Sequence, residues 1–418
     1  MKKYDVIVLG GGPAGLSAAI ASFDKGMNTL IIEREKRLGG ILKQCIHDGF
    51  GLVTFKEKLT GPEYAERFIQ LVVEMNIPTL LNTFVIKVKK IDAGFMITMV
   101  NSKNGVEKIW TKSLILASGC RERTSKQVFI TGTRPAGIFS AGTAQYFVNI
   151  GGYLPCKNCV ILGSGDIGLI MARRLTLEGA KVLGVYEAKS TPSGLSRNIS
   201  QCLNDFNIPL HLSTTITRIF GDDRVDAVEV AKVDEKMQPI KGTEEIIKCD
   251  GVILSVGLIP ENEIAEMLGI KFDNATKGPV VDQNFMTTVE GVFSCGNALH
   301  VNDLVDYVSE SGKLAGENAG EYVNGTPFRK FIDVKMVGSD FLYVVPQLID
   351  VNSENKSAVL YFRSRDVRDN MTVTIKSEQN ILFAKKYMKL KPPEMERVHL
   401  KLEGDFSSGE VEIFMEEF

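Results

Sequence analysis

The chain has 418 residues, 44% of them hydrophobic, and its 49 basic and 51 acidic side chains leave a formal net charge of −2. That length accommodates roughly three domains of about 150 residues each with real apolar cores, which excludes a peptide-sized or disordered chain. The two signs of charge are mixed along the sequence, so no electrostatic footprint for nucleic acid or anionic lipid is present.

The N-terminus reads MKKYDVIVLGGGPAGLSAAIA, two lysines ahead of an apolar run, which is the layout of a secretory signal peptide. Asp5, three consecutive glycines and Pro13 interrupt that run, so a strand, a turn and a helix are expected instead. No other segment reaches the ~18 uninterrupted apolar residues of a membrane span, and a soluble chain is expected. The turn is Gly10-x-Gly12-x-x-Gly15, and the Ala-rich helix leads to a second strand, TLII, closed by Glu33. Gly10 permits the tight turn, Gly12 lets backbone approach a pyrophosphate, and Gly15 allows the helix to pack closely on the strand. Unpaired N–H groups at the helix start face the phosphates, and Glu33 is placed to accept hydrogen bonds from a ribose diol.

The same unit recurs in NCVILGSGDIGLIMARRLTLEGAKVLGVYE, with Gly163-x-Gly165-x-x-Gly168, a helix through Arg174 and a strand ending in Glu187. An acid where a 2′-phosphate would need an arginine argues for NAD over NADP, with Lys189 the nearby cation that weighs against it. Two nucleotide turns in one chain imply two nucleotides, and hydride exchange is the chemistry expected of them.

Four further segments carry a family resemblance: REKRLGG with Gly39 and Gly40, TKSLILASGC ending at Gly119, CDGVILSVGLIPEN with Gly257, and GVFSCGNALH with Asn297. Together with the two turns they resemble the two-dinucleotide-binding-domain flavoproteins, the pyridine nucleotide-disulfide oxidoreductase superfamily of glutathione reductase, thioredoxin reductase and NADH oxidase. The late motif usually has an acid at the position of Asn297, which keeps a hydrogen-bonding side chain and loses a charge. GGILKQCIHDGFGL, GPEYAERF and TGTRPAGIFSAGTAQYF are similar to one branch, the flavoproteins that accompany glycerol-3-phosphate dehydrogenase-like subunits and are related to the α subunits of opine, sarcosine and hydroxyproline dehydrogenases.

The resemblance implies an α/β fold with two Rossmann-like three-layer domains. An FAD domain over 1–124 and 266–330 is interrupted by an NAD domain over 125–265, and an all-β sandwich over 331–418 follows. It implies FAD contacts at Gly10, Gly12, Pro13, Ala14, Gly15, Glu33, Arg34, Gly39, Gly40, Ile41, Val85, Ala117, Gly119, Gly296, Asn297 and Asp303. NAD contacts are implied at Gly163, Gly165, Asp166, Ile167, Gly168, Glu187 and Gly257. It further implies electron transfer between NAD(H) and flavin in a cytoplasmic complex with a flavoprotein dehydrogenase subunit and a small redox partner, and leaves room for a homo-oligomer.

Seven cysteines are an odd number without the density of a secreted disulfide framework, which suggests a reducing compartment. Cys156 and Cys159 form a Cys-x-x-Cys, but Cys159 lies four residues before Gly163, at the start of the strand itself. In thioredoxin reductases the pair lies well upstream, at the start of a helix under the flavin, and the corresponding RPAGIFSAGTAQYF has no cysteine. Cys156 and Cys159 therefore read as bystanders, with Cys159 a small hydrophobe in a sheet. Glutathione reductase needs two cysteines beside the paired glycines, whereas here only Cys45 follows Gly40 and Phe50 stands where a second would be.

Cys45 reads three ways: a packed thiol near the flavin edge, a peroxidatic cysteine that cycles through a sulfenate, or a covalent or gating group. His47 and His300 are candidates for steering a proton or holding the flavin ring, against capping or core roles. Cys295 reads as core filler, and Cys120, Cys202 and Cys249 lack metal-ligand spacing, so no metal site is expected. Asp303–Val323 reads as a long helix whose N-terminus, in this superfamily, faces the flavin pyrimidine, with Asp303 as its cap and Gly312, Gly316 and Gly320 as a close-packing stripe. After NGTPFRKF come six alternating runs separated by turns such as SENK, SEQ and GDFSSG, which predict a small antiparallel sandwich that docks a partner subunit or serves as a lid. Two other functions fit less of the pattern: a stand-alone NADH oxidase or peroxidase using Cys45, and a flavin-containing redox-sensing scaffold without turnover.

Overall fold

A computed structural model of the protein describes residues 1–325, 328–378, 380–402 and 409–418. Thr326 and Pro327 of NGTPFRKF, Gln379 of the SEQ turn and nearly all of the GDFSSG turn lie outside the described residues. The chain folds into two compact units, one of Met1–Cys120 with Pro260–Phe418 and the other of Arg121–Ile259.

In the first unit Lys3–Leu9 pairs in parallel with Thr29–Ile32 on one side and with the second half of Gly105–Leu116 on the other. The run of β-branched and aliphatic residues at Val6, Ile7 and Val8 is fully buried, as expected for a parallel strand covered on both faces. Val292–Ser294 adds to Gly105–Leu116 in parallel, Phe293 opposite Ile115. Gly94–Asn101 and Thr83–Ile91 continue the sheet as antiparallel strands. Two helices cross against this sheet. Pro13–Asp24 leaves the first turn, and Val305–Asn324 packs on it. A Cβ at Gly312 would lie 2.1 Å from the Ala14 carbonyl oxygen and one at Gly316 2.2 Å from that of Ala18, so the glycine stripe lets the two backbones touch.

The long helix departs from the sequence expectation at its start. It begins at Val305 with Leu304 as N-cap and no side-chain cap. Asp303 is not the cap, because its carboxylate is drawn to the C-terminal sheet by Arg363 and by the Met395 N–H at 2.7 Å.

In the second unit a five-stranded parallel sheet runs in the order Ile138–Ser140, Gly251–Leu254, Asn158–Leu162, Lys181–Tyr186 and Leu210–His211. The helix after the second turn is Asp166–Leu177, one turn longer than expected. A smaller sheet of Thr131–Gly132, Thr214–Phe220, Ala227–Lys232 and Glu245–Lys248 packs its apolar side chains beside it.

Among the described residues the C-terminal region is a sandwich of two sheets holding eight strands, where six were expected. Phe331–Met336, outside the six expected runs, is a strand, and LYVVPQLI divides into Phe341–Val345 and Leu348–Asp350 around Pro346. Proline has no N–H to donate to a ladder, which explains the division. The three-stranded sheet carries buried apolar side chains on both faces. Ala358, Leu360 and Phe362 enter the sandwich core, while Val359 and Tyr361 alternate to the other side and join the core of the first unit with Val345 and Met395.

Candidate functional site

The first glycine turn is built by contacts that no side chain could share. Gly10 has φ +110, and a Cβ there would meet the Ala117 oxygen at 2.3 Å; one on Gly15 would meet the Gly10 oxygen at 1.8 Å. Gly12 is different. It caps the helix in an extended conformation without a side-chain cap, and its Cβ would find only the Gly40 Cα at 3.8 Å. The free space and uncapped N–H groups are what a pyrophosphate requires.

Glu33 is 6% exposed and accepts the Gly11 N–H at 2.7 Å and the Glu35 N–H at 2.8 Å. The acid thus braces the turn from beneath. Gly39 and Gly40 both adopt positive φ, and a Cβ at Gly40 would crowd the Gly12 Cα at 2.9 Å. Pro13 and Ala14 begin the helix. Arg34 pairs with Glu261 at 3.0 Å, Ile41 is exposed, and Val85 packs on the edge of the sheet core. Ala117 follows the strand Gly105–Leu116, and Gly119 comes next but one, at φ +74 with open space around it.

The second turn repeats the plan. Gly163 has φ +101, and its Cβ would strike the Ser255 oxygen at 2.1 Å; one on Gly168 would meet the Gly163 oxygen at 2.5 Å; Gly165 has nothing within 4 Å. Glu187, 7% exposed, accepts the Ser164 N–H at 3.0 Å, the Ser164 hydroxyl at 2.6 Å and the Lys189 N–H at 3.1 Å. Ser164 is a site residue the sequence reading missed, although a hydroxyl between two turn glycines is a readable signal. Asp166 is turned toward the following segment, its carboxylate accepting the Leu195 N–H at 2.9 Å and the Asn198 amide at 2.6 Å. Ile167 is exposed, and Gly257 has φ +100, where a Cβ would meet the Arg123 Nε at 3.9 Å.

Around the late motif, Gly296 has φ +60, where a Cβ would press on Ala14 at 2.7 Å. The Asn297 side chain is engaged within the loop, its oxygen accepting the Asn302 N–H at 3.0 Å and its amide reaching the Cys120 sulfur at 3.6 Å. Asp306, in the first turn of the long helix, accepts the Thr54 N–H at 2.7 Å. This tether also escaped the sequence reading, since nothing local marks Thr54 as its partner.

Cys45 ends a short 3-10 helix, Gly40–Gln44, rather than sitting on an α-helix. It packs against the start of helix Gly61–Glu74, where a Cβ on Gly61 would lie 2.8 Å from its own. Burial pushes its thiol up to about 12. His47 shares this loop, its ring 5.0 Å from Phe50, and burial lowers its pKa, with Asp48 opposing. His300 is packed elsewhere, 1% exposed between the Tyr361 ring at 5.0 Å and the Tyr343 ring at 6.0 Å. Burial, reinforced by Arg363, lowers its pKa to about 3, so it is a neutral ring.

Cys159 is wholly buried in the strand Asn158–Leu162, and Cys156 is buried in the loop before it. The hydrogen bond with Cys156, then burial, keeps the Cys159 thiol protonated. The helix Ala141–Asn149 opens on Ser140 and Thr143, whose hydroxyls are 2.9 Å apart. Among the described residues no cluster of His, Cys, Asp and Glu could hold a metal, and no helix is long and apolar enough to cross a membrane.

Residues 4–315 match the family described as pyridine nucleotide-disulphide oxidoreductase. The chain is 25% identical over 293 residues to the hydrogen cyanide synthase subunit HcnB of Pseudomonas protegens, a match that covers 65% of this chain and 60% of HcnB. It is also 25% identical over 329 residues to the thioredoxin reductase of Listeria monocytogenes, covering 77% of this chain and 94% of that one. Among solved structures, the thioredoxin reductase of T. acidophilum superposes with a TM-score of 0.62 at 22% identity over 78% of this chain and 100% of the other.

Proposed function

Because the chain belongs to the pyridine nucleotide-disulphide oxidoreductase family, whose members are oxidoreductases that use FAD and NAD(P)H, we propose that it passes a hydride between NAD(H) and FAD without an active disulfide, as a subunit of a glycerol-3-phosphate- or amine-type dehydrogenase complex. The observation that carries this reading is the presence of two glycine turns in one chain, each braced by a buried glutamate; the buried, protonated Cys159 supports the absence of an active disulfide. We assign FAD to residues 1–124 and 266–330 and NAD to residues 125–265.

Bound FAD would supply the two-electron centre and NAD(H) the hydride. The residues present fit both groups. Gly12 and Gly119 leave room on the first unit, and Gly165 and Gly257 leave it on the second. Glu33 and Glu187 are placed for ribose hydroxyls, and an acid in the second position favours NAD over NADP. The long helix, uncapped at Leu304, would direct its N–H groups at the pyrimidine edge of the flavin and favour the anionic reduced form. Cys45 and His47 would line the flavin edge and Asn297 the ribityl side. The protonated Cys45 thiol weighs against a peroxidatic role, since the thiolate is the nucleophile. The relative named as a subunit of hydrogen cyanide synthase supports a place in a complex, with a flavoprotein dehydrogenase subunit and a small redox partner, and the cysteine content supports the cytoplasm.

Anaerobic stopped-flow with NADH tests this, followed by air or peroxide. Rapid bleaching of the flavin and slow reoxidation are expected. Rapid reoxidation that Cys45→Ser abolishes would establish an oxidase or peroxidase instead, and an absence of bleaching would leave a scaffold without turnover.

A further inference from the structure

The start of the long helix Val305–Asn324 is held from three sides. Gly312 and Gly316 lock it to the helix of the first turn. Thr54 and Tyr64 tie it to the loop and helix after Cys45, through Asp306 and through a 2.8 Å bond to Ser309. The third side is the inward face of the C-terminal sheet. Alternation along Ser357–Ser364 and Met395–Lys401 puts Val359, Tyr361 and Arg363, and Met395 and Arg397, on that face. Arg363 spends its other donors on the Tyr343 hydroxyl at 3.0 Å and the Pro392 and Pro393 carbonyls at 3.1 and 2.6 Å, and grips Asp303 just before the helix cap. Arg397 forks onto Glu310, one turn into the helix, with Tyr361 bonding the same carboxylate at 3.3 Å.

Asp303 is exposed and the Arg397–Glu310 pair is only part-buried; ion pairs this open to solvent contribute little net stability, so a role in holding geometry and charge accounts for them better than stability does. Asp303 is a negative charge one residue from an uncapped helix start, where it would offset the helix's positive end. The guanidinium of Arg363 cancels it.

We propose that the C-terminal sheet tunes the flavin site, with Arg363 the positioning residue that fixes Asp303 and keeps the positive end of the long helix available to reduced flavin. The proposal rests on the FAD reading above. Its test is the equilibrium between oxidised and reduced flavin in the full-length protein, set against a reference dye and read by visible absorption. Arg363→Met removes the guanidinium charge beside Asp303 and should move the ratio toward oxidised flavin by three- to tenfold. Asp303→Asn should move it the opposite way by a similar factor, and the double variant should return to within twofold of wild type. Arg363→Lys, which keeps the charge, should stay near wild type, and if Arg363→Met does not fold, the direction of the Asp303→Asn shift decides alone. Shifts below twofold, or of the same sign in both single variants, overturn the proposal, because a purely structural pair would change melting temperature without opposite electrostatic shifts. A wild-type protein that retains no flavin would overturn the FAD reading itself.

Discussion

The two glycine turns share a sequence pattern and a backbone, yet they are embedded differently. Around the first, Gly40 closes on Gly12, the helix that follows is pressed against a second helix through bare glycine contacts, and Glu33 bonds only backbone N–H groups. Around the second, Gly165 faces open space, and Glu187 is shared with a side-chain hydroxyl, Ser164. A turn backed more closely by its own chain suits a cofactor that stays, and a more open one suits a coenzyme that exchanges each cycle. The difference is physical rather than one of motif, and it can be broken.

The largest effect is expected at Gly15. Alanine there would put a methyl 1.8 Å from the Gly10 carbonyl oxygen, a clash that only backbone movement relieves. A loss of about 3 kcal/mol in stability is expected, together with loss of bound flavin, read from a thermal melt and the visible spectrum. Gly165→Ala is the contrasting substitution. The methyl meets nothing in the protein, so stability should change by less than about 1 kcal/mol, while the KM for NADH rises roughly tenfold, about 1.4 kcal/mol of binding. If Gly165→Ala destabilises as much as Gly15→Ala, the open space at Gly165 is wrong.

Glu187→Gln sharpens the comparison on the coenzyme side. The amide oxygen still accepts from Ser164, whereas the charge that favours a ribose diol and repels a 2′-phosphate is gone. The preference for NADH over NADPH in kcat/KM should fall about tenfold, a change of roughly 1.4 kcal/mol. An unchanged preference, or faster reduction of the wild type by NADPH, would refute the assignment of NAD.

Both turns were legible in the sequence because their glycines answer backbone requirements that no other residue meets. The strands beside them were legible as apolar runs closed by an acid. What escaped was set by partners distant in the chain. Asp303 reads as a helix cap, but the residue that claims it, Arg363, lies 60 positions away. Phe331–Met336 lies outside the six expected runs, and only Val334 of its six residues is buried, so little of its apolar side is committed to the core. The inward face of the sheet was hidden for the opposite reason: with Leu360 and Tyr361 buried on opposite faces, AVLYF shows no polar side to mark which face is covered.

Cys45 tests the flavin side at smaller scale. Its thiol is pushed up to about 12 by burial, so deprotonation lags far behind that of an ordinary cysteine, whose pKa is about 8.5. Alkylation of Cys45 by iodoacetamide, followed by peptide mass mapping, should keep rising by about tenfold per pH unit between roughly pH 8 and 10 instead of levelling off. A plateau below pH 8 would reveal a stabilised thiolate and revive the peroxidatic reading.

The smallest effect is expected at the Cys-x-x-Cys. Two influences oppose each other there: the hydrogen bond from Cys159 lowers the pKa of Cys156, which would favour a reactive thiolate, whereas both sulfurs are buried where an oxidant or a protein disulfide would have to reach them. Access decides, because thiol exchange needs an attacking sulfur in line with its target. Cys159 also fills a strand paired on both sides, next to Gly251, whose missing side chain leaves room for Cys156. Serine at both positions should therefore leave NADH-dependent flavin reduction within about twofold and cost about 1–3 kcal/mol, because each buried hydroxyl needs a partner that a thiol does not. A collapse of turnover in a variant that still melts cooperatively and holds its flavin would make the pair part of the electron path.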